Sequence, residues 1–169
     1  KSIENTHLFS YVSQDPFIFN ASLLENLTFK KKLTTSEFHK LNKICEMCEI
    51  SDLIKEKGGL GYILKDDGKN LSGGQIQRIM IARSIFADCE ILVFDEPTSY
   101  LDNINKKYFF KILKSLKKAN ITIVSISHDV ELIKQADTIF YFEGKKLLEN
   151  GSWMKLTQNH NAKKLLSYE

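Results

Sequence analysis

The chain has 169 residues, 43% of them hydrophobic and 27% charged, which is the size and composition of one ordinary globular domain. Its net charge of +3 comes from short lysine clusters, which we interpret as solvated loops and helix ends rather than as a nucleic-acid-binding surface. No apolar run approaches the roughly 20 residues that span a bilayer, and we expect no signal peptide.

The first predicted strand is the short β-prone run from Phe9 to Val12. Because the chain starts close to this strand and without methionine, we expect it to be a piece of a longer protein. Pro16 disfavours helix at the residue before it, so the strand gives way to a loop. Gln14 then lies at the C-terminal end of a strand, which is where α/β sheets bind their ligands.

A mostly helical insert is predicted between this strand and the next one. It begins with an apolar loop from Phe17 to Leu27, in which Asn20 or Ser22 starts a short helix and which we expect to meet another protein or fold over the core. Thr34 and Glu37 form a capping box. That box opens a helix with an inward face made of Phe38, Leu41, Ile44, Cys45 and Cys48. We expect Ser51 to cap a further short helix, Asp52 to Lys57.

Cys45 and Cys48 form a C-x-x-C pair, which suits either a metal site or buried thiols. Both lie on the predicted inner face of a helix, no second cysteine pair follows, and His39 is poorly spaced to join them. With Cys89 the chain has three cysteines, too few for a disulfide framework. The pattern favours buried thiols in a reducing compartment over zinc.

The stretch Leu71-Ser72-Gly73-Gly74-Gln75 precedes a predicted helix from Gln75 to Ala87. Ser72 is a good N-cap, and the two glycines, which have no Cβ, allow another molecule to approach the backbone closely. A helix N-terminus with bare glycine N–H groups and a hydroxyl attracts phosphate. On these five residues alone, an ordinary capped helix after a glycine turn fits equally well.

The next strand is predicted at Ile91 to Phe94, whose lack of alternation suits a central parallel strand covered on both faces. Asp95 and Glu96 follow at its C-terminal tip. Adjacent carboxylates in such a position are costly unless they serve a cation or a reaction. Asp102 is expected to cap the following helix, which carries Tyr108, Phe109, Ile112, Leu113 and Leu116.

A second buried strand is predicted from Ile121 to Ile126, and it places His128 at another strand tip. We interpret this histidine as functional. Thr138 to Phe142 is the third strand of this region, and the turn at Glu143-Gly144 joins it to a further strand that Gly151 closes. Polar helices around Trp153-Met154 and from Ala162 to Tyr168 end the chain.

These motifs, in this order and spacing, resemble the ATP-binding-cassette (ABC) ATPase family over nearly the whole chain. The resemblance is carried by Leu71 to Gln75, Ile91 to Glu96, Ser99-Tyr100-Leu101-Asp102, His128, and Gln14 as the Q-loop. The segments Gln14 to Leu27 and Gly144 to Ser152 are similar to the exporter branch, in which the ATPase is usually fused behind a membrane domain. Tyr100 departs from the family, which usually has a small residue there.

The resemblance implies an α/β fold, with an incomplete P-loop NTPase (RecA-like) parallel-sheet core and an inserted helical subdomain. Residues 1–15 and 90–169 would belong to the core and residues 16–89 to the helical subdomain with the signature motif. The sequence contains no G-x-x-x-x-G-K-[ST], so the phosphate-cradling P-loop is absent from this chain. In the family the P-loop strand lies between the strand before His128 and the strand Thr138–Phe142, so we expect a gap in the sheet with exposed apolar edges.

The resemblance also assigns roles to the residues. Asp95 would hold Mg²⁺ through water, and Glu96 would be the base that polarises the attacking water. Gln14 would orient that water or the Mg²⁺ shell, and His128 would donate to the γ-phosphate of ATP and hold Glu96 in line. Two further roles concern a dimer of ATPase subunits. ATP bound to the second subunit would be capped by the turn Ser72, Gly73, Gly74 and Gln75. The interface between the two subunits would contain Ser99 and Asp102.

The function implied is that of the nucleotide-binding domain of an ABC exporter, which couples ATP hydrolysis to transmembrane transport at the cytoplasmic face of the plasma or inner membrane. Its partners would be a transmembrane domain and a second ATPase subunit, with no nucleic acid. Without a P-loop we expect this chain alone to be inactive. A soluble, non-transport ABC ATPase and a catalytically dead interaction module remain as alternatives. The transported substrate is chosen by membrane segments that this sequence does not contain.

Overall fold

The computed structural model describes residues 8–13, 17–65 and 68–158. The chain divides into two compact units, one that ends at Ile126 and one that starts at Ser127. Among the helices in the described ranges, none has the length and apolar character needed to cross a membrane.

The first unit contains a three-stranded parallel sheet made of β1 (Phe9–Val12), β2 (Ile91–Asp95) and β3 (Thr122–Ile126), in the order β1-β2-β3. The predicted strands are therefore confirmed, with β2 in the centre. The prediction that β2 is covered on both faces is wrong, because only the residues of one face are buried. Because all three strands run in the same direction, their carboxyl ends lie along one edge of the sheet. That edge is where open α/β sheets bind ligands.

In the described ranges, four α-helices lie between β1 and β2 in the sequence. They are α1 (Leu23–Thr28), α2 (Thr35–Met47), α3 (Ser51–Glu56) and α4 (Gly73–Phe86). The helix α5 (Asn103–Lys118) connects β2 to β3.

Most of the predicted helix starts are confirmed. Ser22, Thr34 and Ser72 each close a reciprocal capping box with the side chain three residues later, and Asp102 caps α5. The predicted cap at Ser51 is wrong. Ser51 is itself the first residue of α3, and the residue before it, Ile50, has no polar side chain with which to cap the helix.

The inner face of α2 is largely as predicted, with Leu41, Ile44, Cys45 and Cys48 buried. Burial raises the pKa of the Cys45 thiol to about 12 and that of Cys48 further still, so both thiols stay protonated. The prediction that Phe38 points inward is wrong, because its side chain is 46% exposed. Phe38 lies in the first turn of α2 and lines an open surface cavity together with Leu24, Leu33 and Leu60.

The two faces of the three-stranded sheet differ in burial. Val12, Leu92 and Phe94 face the helices and are buried, and the ring of Phe94 meets that of Phe109 on α5 edge to face, with centroids 5.4 Å apart. On the opposite face Tyr11, Val124 and Ile126 are 50%, 48% and 58% exposed. The prediction that β3 is a buried strand is therefore wrong. Among the described strands β3 is an edge strand with β2 as its hydrogen-bonded neighbour, so it lacks the cover of a central strand.

The second unit contains α6 (Val130–Lys134), the strands β4 (Ile139–Glu143) and β5 (Lys146–Gly151), and α7 (Trp153–Gln158). β4 and β5 pair antiparallel around the predicted turn, and they form a sheet separate from β1-β2-β3. The described strands thus fall into two sheets, one in each unit. The helix predicted from Ala162 to Tyr168 lies outside the described residues.

Candidate functional site

Two carboxylates stand at the carboxyl end of the central strand. Asp95 is the last residue of β2, and Glu96 follows it with a left-handed backbone, φ = 45°. This conformation is uncommon for a residue other than glycine and persists where neighbouring contacts hold it. Here the Glu96 N–H donates to the carbonyl of Ile126 at 2.9 Å, and the carbonyl of Glu96 accepts from the N–H of Ser99 at 3.2 Å.

The side chain of each carboxylate has a hydroxyl partner within the same unit. Tyr11 on β1 donates its hydroxyl to Asp95 Oδ2 at 2.8 Å, and Ser99 donates to Glu96 Oε2 at 3.3 Å. The bond to Asp95 raises the pKa of Tyr11, because the negative carboxylate favours the protonated phenol. Ser99 was predicted at a dimer seam, but in the chain itself it contacts the candidate base.

The start of α4 lies close to these carboxylates. Gly73 and Gln77 line a small cavity of about 120 Å³ together with Asp95, Glu96 and Tyr100. Gln77 donates its side-chain amide to the carbonyl of Pro97 at 2.7 Å, which ties α4 to the turn after Glu96. The cavity is much smaller than the roughly 300–1,000 Å³ of a typical ligand site.

The glycine turn at the start of α4 is fixed by its own capping box. Ser72 Oγ accepts from the N–H of Gln75 at 3.2 Å, and the Gln75 side chain accepts from the N–H of Ser72 at 2.8 Å. The two glycines between them have different surroundings. A Cβ added at Gly73 would meet nothing within 4 Å, whereas one added at Gly74 would lie 2.2 Å from Asn105 Oδ1. Space for another molecule therefore exists at Gly73, and the chain itself fills the space beside Gly74.

Asp102 and Asn105 connect this turn to α5. Asp102 Oδ1 accepts from the backbone N–H of Asn105 at 2.8 Å and from its side-chain amide at 3.1 Å. Asn105 therefore lies between the cap of α5 and Gly74. Tyr100, in the turn before Asp102, is 77% exposed.

Gln14 and His128 complete the set of predicted site residues. Gln14 lies outside the described residues. His128 belongs to the second unit, where it is exposed and precedes Asp129, the N-cap of α6. The predicted contact of His128 with Glu96 stays a prediction.

Sequence reasoning missed the roles of two residues, Tyr11 beside Asp95 and Arg83 near the C-terminal end of α4. Arg83 on α4 is 8% exposed and donates to the backbone carbonyls of Asn26 at 2.6 Å and Phe17 at 3.0 Å. Its guanidinium lies over the rings of Phe19 and Phe29, 4.9 and 5.3 Å from their centroids. Burial lowers the pKa of Arg83 to about 10, which leaves it charged at neutral pH. An arginine in an apolar helical pattern was the available signal, since a buried cation needs dedicated partners.

Comparison with known proteins identifies the class to which this fold and site belong. Residues 3–99 match the family described as ABC transporter, so the chain belongs to that family. Membership of its exporter branch and the P-loop NTPase type of α/β fold, both predicted from the motifs, are confirmed.

The names of individual relatives describe transport proteins. The chain is 34% identical over 166 residues to the lactococcin-G-processing and transport ATP-binding protein LagD of Lactococcus lactis, covering 96% of the chain and 23% of that protein. It is 37% identical over 148 residues to the ATP-dependent lipid A-core flippase of Wigglesworthia glossinidia brevipalpis, covering 87% of the chain and 25% of that protein. A solved bacterial Atm1-family ABC exporter with ATP bound superimposes with a TM-score of 0.80 at 26% identity, covering 95% of the chain and 28% of that structure. The chain thus spans about a quarter of the length of these relatives.

Proposed function

We propose that the chain is part of the nucleotide-binding domain of an ABC exporter, and that the full-length protein couples ATP binding and hydrolysis to transport across a membrane. The observation that carries this proposal is the group at the carboxyl edge of the sheet. There Asp95 and Glu96, at the C-terminal end of the central strand, lie beside the capped, glycine-rich start of α4. The relatives, whose names describe ATP-binding or ATP-dependent transport proteins, give it further support.

The residues fit one part of a Mg²⁺-ATP site. Asp95 offers the hard oxygen ligand that Mg²⁺ prefers, and Mg²⁺ would neutralise charge on the β- and γ-phosphate oxygens. Within the described ranges no group of three or more histidine, cysteine, aspartate or glutamate side chains could enclose a metal. Phosphate and water oxygens would also serve as ligands, as is usual for Mg²⁺. The Gln14 side chain would contact this hydration shell.

Glu96 is the proposed general base. Ser99 donates to its Oε2, and the carboxylate would accept a hydrogen bond from the attacking water and polarise it. The left-handed backbone at Glu96 turns the chain away from the strand direction just after Asp95. The two neighbouring carboxylates can therefore take separate roles, Asp95 at the metal and Glu96 at the water. His128 would donate to the γ-phosphate and keep Glu96 aligned.

The glycine turn would serve a second copy of the domain. Gly73 has open space beside it, and Ser72 and Gln75 fix the orientation of the first N–H groups of α4. We propose that this turn, including Gly74, caps the γ-phosphate of ATP held by the second subunit, with Ser99 and Asp102 at the seam. One contact of a helix dipole with phosphate is worth about 0.3–1 kcal/mol, so closure of the dimer depends on many contacts formed together.

A membrane domain is the other proposed partner. Phe17 and Phe29 are 54% and 63% exposed, and both belong to the aromatic segment around α1 that Arg83 anchors to α4. We propose that this segment faces the intracellular ends of the membrane helices, which places the domain at the cytoplasmic face of the membrane.

The substitution Glu96→Gln in the full-length protein tests the proposed chemistry. The amide cannot take a proton from water, so turnover should fall by about 10²–10⁴-fold while ATP still binds and a stable ATP-bound dimer accumulates. The measurements are steady-state phosphate release and size-exclusion chromatography with ATP. Glu90→Gln, at the exposed position just before β2, is the matched control and should turn over normally. Near-normal turnover of Glu96→Gln would contradict the assignment.

A further inference from the structure

Tyr11 lies on the same face of the sheet as the candidate magnesium ligand. In the parallel register Tyr11 pairs with Val93, and Asp95 is two residues further along β2, so both side chains project from one face of the sheet. The long, rigid phenol spans this diagonal and donates its hydroxyl to Asp95 Oδ2 at 2.8 Å. A shorter hydroxyl side chain at position 11 would not reach the carboxylate.

This hydrogen bond has a consequence for the orientation of the carboxylate. An aspartate at a strand end can rotate about both of its side-chain bonds, and ordering it on cation binding costs free energy. A donor on Oδ2, mounted on the neighbouring strand, fixes one orientation in advance. The strands themselves are already held by the parallel ladder of β1 and β2, so the hydroxyl is not needed to pair them.

We propose that Tyr11 is a positioning residue for the magnesium site: its hydroxyl holds Asp95 so that Oδ1 faces the hydrated cation. Tyr11 does not touch the cation: it acts through Asp95, which would hold the hydrated cation through water, as an outer partner of the metal site. The inference rests on the proposed role of Asp95. It assigns a function to a side chain outside the motifs that identify the family.

The test uses the full-length protein and Mn²⁺ as the probe, followed by electron paramagnetic resonance at a saturating concentration of the non-hydrolysable β,γ-imido analogue of ATP. Tyr11→Phe removes only the hydroxyl and should weaken Mn²⁺ binding about tenfold, at the low end of the effect of losing an outer partner, because this one is half exposed. Its affinity for the analogue in the presence of EDTA should match that of the wild type. Tyr108→Phe, which removes a phenolic hydroxyl from α5, should bind Mn²⁺ like the wild type.

Two outcomes would overturn the inference. One is Mn²⁺ affinity of Tyr11→Phe within twofold of the wild type. The other is an equal loss of analogue affinity in EDTA, which would mean a general structural effect. Asp95→Asn separates the inference from the function beneath it. If Asp95→Asn weakens Mn²⁺ binding and Tyr11→Phe does not, Tyr11 alone is wrongly assigned; if neither does, the metal role of Asp95 fails and the inference fails with it.

Discussion

Gly73 and Gly74 are adjacent at the start of α4, yet only Gly74 packs against another part of the chain. A Cβ at position 74 would lie 2.2 Å from Asn105 Oδ1 and 2.5 Å from its Cγ. Asn105 cannot easily move away, because its side-chain amide is hydrogen-bonded to the Asp102 carboxylate. We therefore expect Gly74→Ala to destabilise the protein by about 1–3 kcal/mol, the usual cost of overpacking. Thermal unfolding of the purified full-length protein measures the effect.

Gly73→Ala is the matched control, since a Cβ there meets nothing within 4 Å. Its unfolding temperature should stay close to that of the wild type. The double variant Gly74→Ala/Asn105→Ala should recover part of the lost stability, because the two closest atoms are gone. Equal destabilisation by the two single glycine variants would contradict this account of the turn.

Through Arg83, α4 also holds the segment around α1 in place. Its guanidinium satisfies two backbone carbonyls of the segment around α1 and also donates to the Asn26 side chain at 3.1 Å. Arg83→Met would keep the volume but leave the two carbonyls without this donor, while Asn26 Oδ1 would keep its hydrogen bond from the N–H of Phe19. At about 1–3 kcal/mol for each buried group left unsatisfied, we expect a loss of about 3 kcal/mol in the free energy of unfolding. The change would appear as a lower thermal unfolding temperature.

Lys111→Met is the comparison for this prediction. Lys111 pairs with Glu49 at 2.9 Å but is 64% exposed, and such surface pairs contribute about 0–1 kcal/mol. Arg83→Lys should rescue little of the loss, because a single ammonium cannot reproduce the planar fork of donors. Full stability of Arg83→Lys would show that charge alone, rather than the donor geometry, holds the segment.

The start of α2 predicts a dependence of stability on pH. Glu37 closes the capping box with Thr34 and is hydrogen-bonded to Lys30, and these contacts lower its pKa from 4.5 to about 2. Because the folded pKa is lower than the unfolded one, the contribution of Glu37 is fully present above pH 4.5 and is lost as the pH falls through 2. Glu37→Gln should therefore flatten the acid limb of the stability curve between these values.

Denaturant unfolding at a series of pH values from 6 to 2 measures this effect. Glu46→Gln, at an exposed position of the same helix, is the control and should leave the acid limb unchanged. An acid limb of Glu37→Gln that coincides with that of the wild type would show that Glu37 does not contribute to the acid sensitivity.

Local sequence predicted the elements well because their signals are local. The capping boxes at Ser22, Thr34 and Ser72 each need only four consecutive residues. The errors have tertiary causes instead. β3 is exposed because of its place at the sheet edge, and Phe38 because α2 presents its first turn to a surface cavity. Tyr11 was missed for the same reason, since its partner is 84 residues away and is found only from the register of the sheet.

At the scale of the whole molecule, the predicted site residues fall in different parts of the chain. Asp95, Glu96 and the start of α4 lie together in the first unit, His128 belongs to the second, and Gln14 is outside the described residues. The order of the motifs in the sequence was enough to identify the family. The side-chain contacts around Asp95 could not be predicted in the same way, because they depend on how the strands pair in the fold. A chain that spans about a quarter of its relatives carries one part of their machinery.

The last prediction concerns the 169-residue chain by itself. Tight binding of ATP needs a cradle for the phosphates, and this sequence contains no G-x-x-x-x-G-K-[ST] loop to supply one. The cavity of about 120 Å³ beside Glu96 is too small to replace it. Calorimetric titration of the purified chain with Mg²⁺-ATP should therefore give no saturable heat, while the full-length protein, titrated as the control, should bind. Saturable micromolar binding to the isolated chain would mean that Asp95, Glu96 and the start of α4 hold the nucleotide without a P-loop.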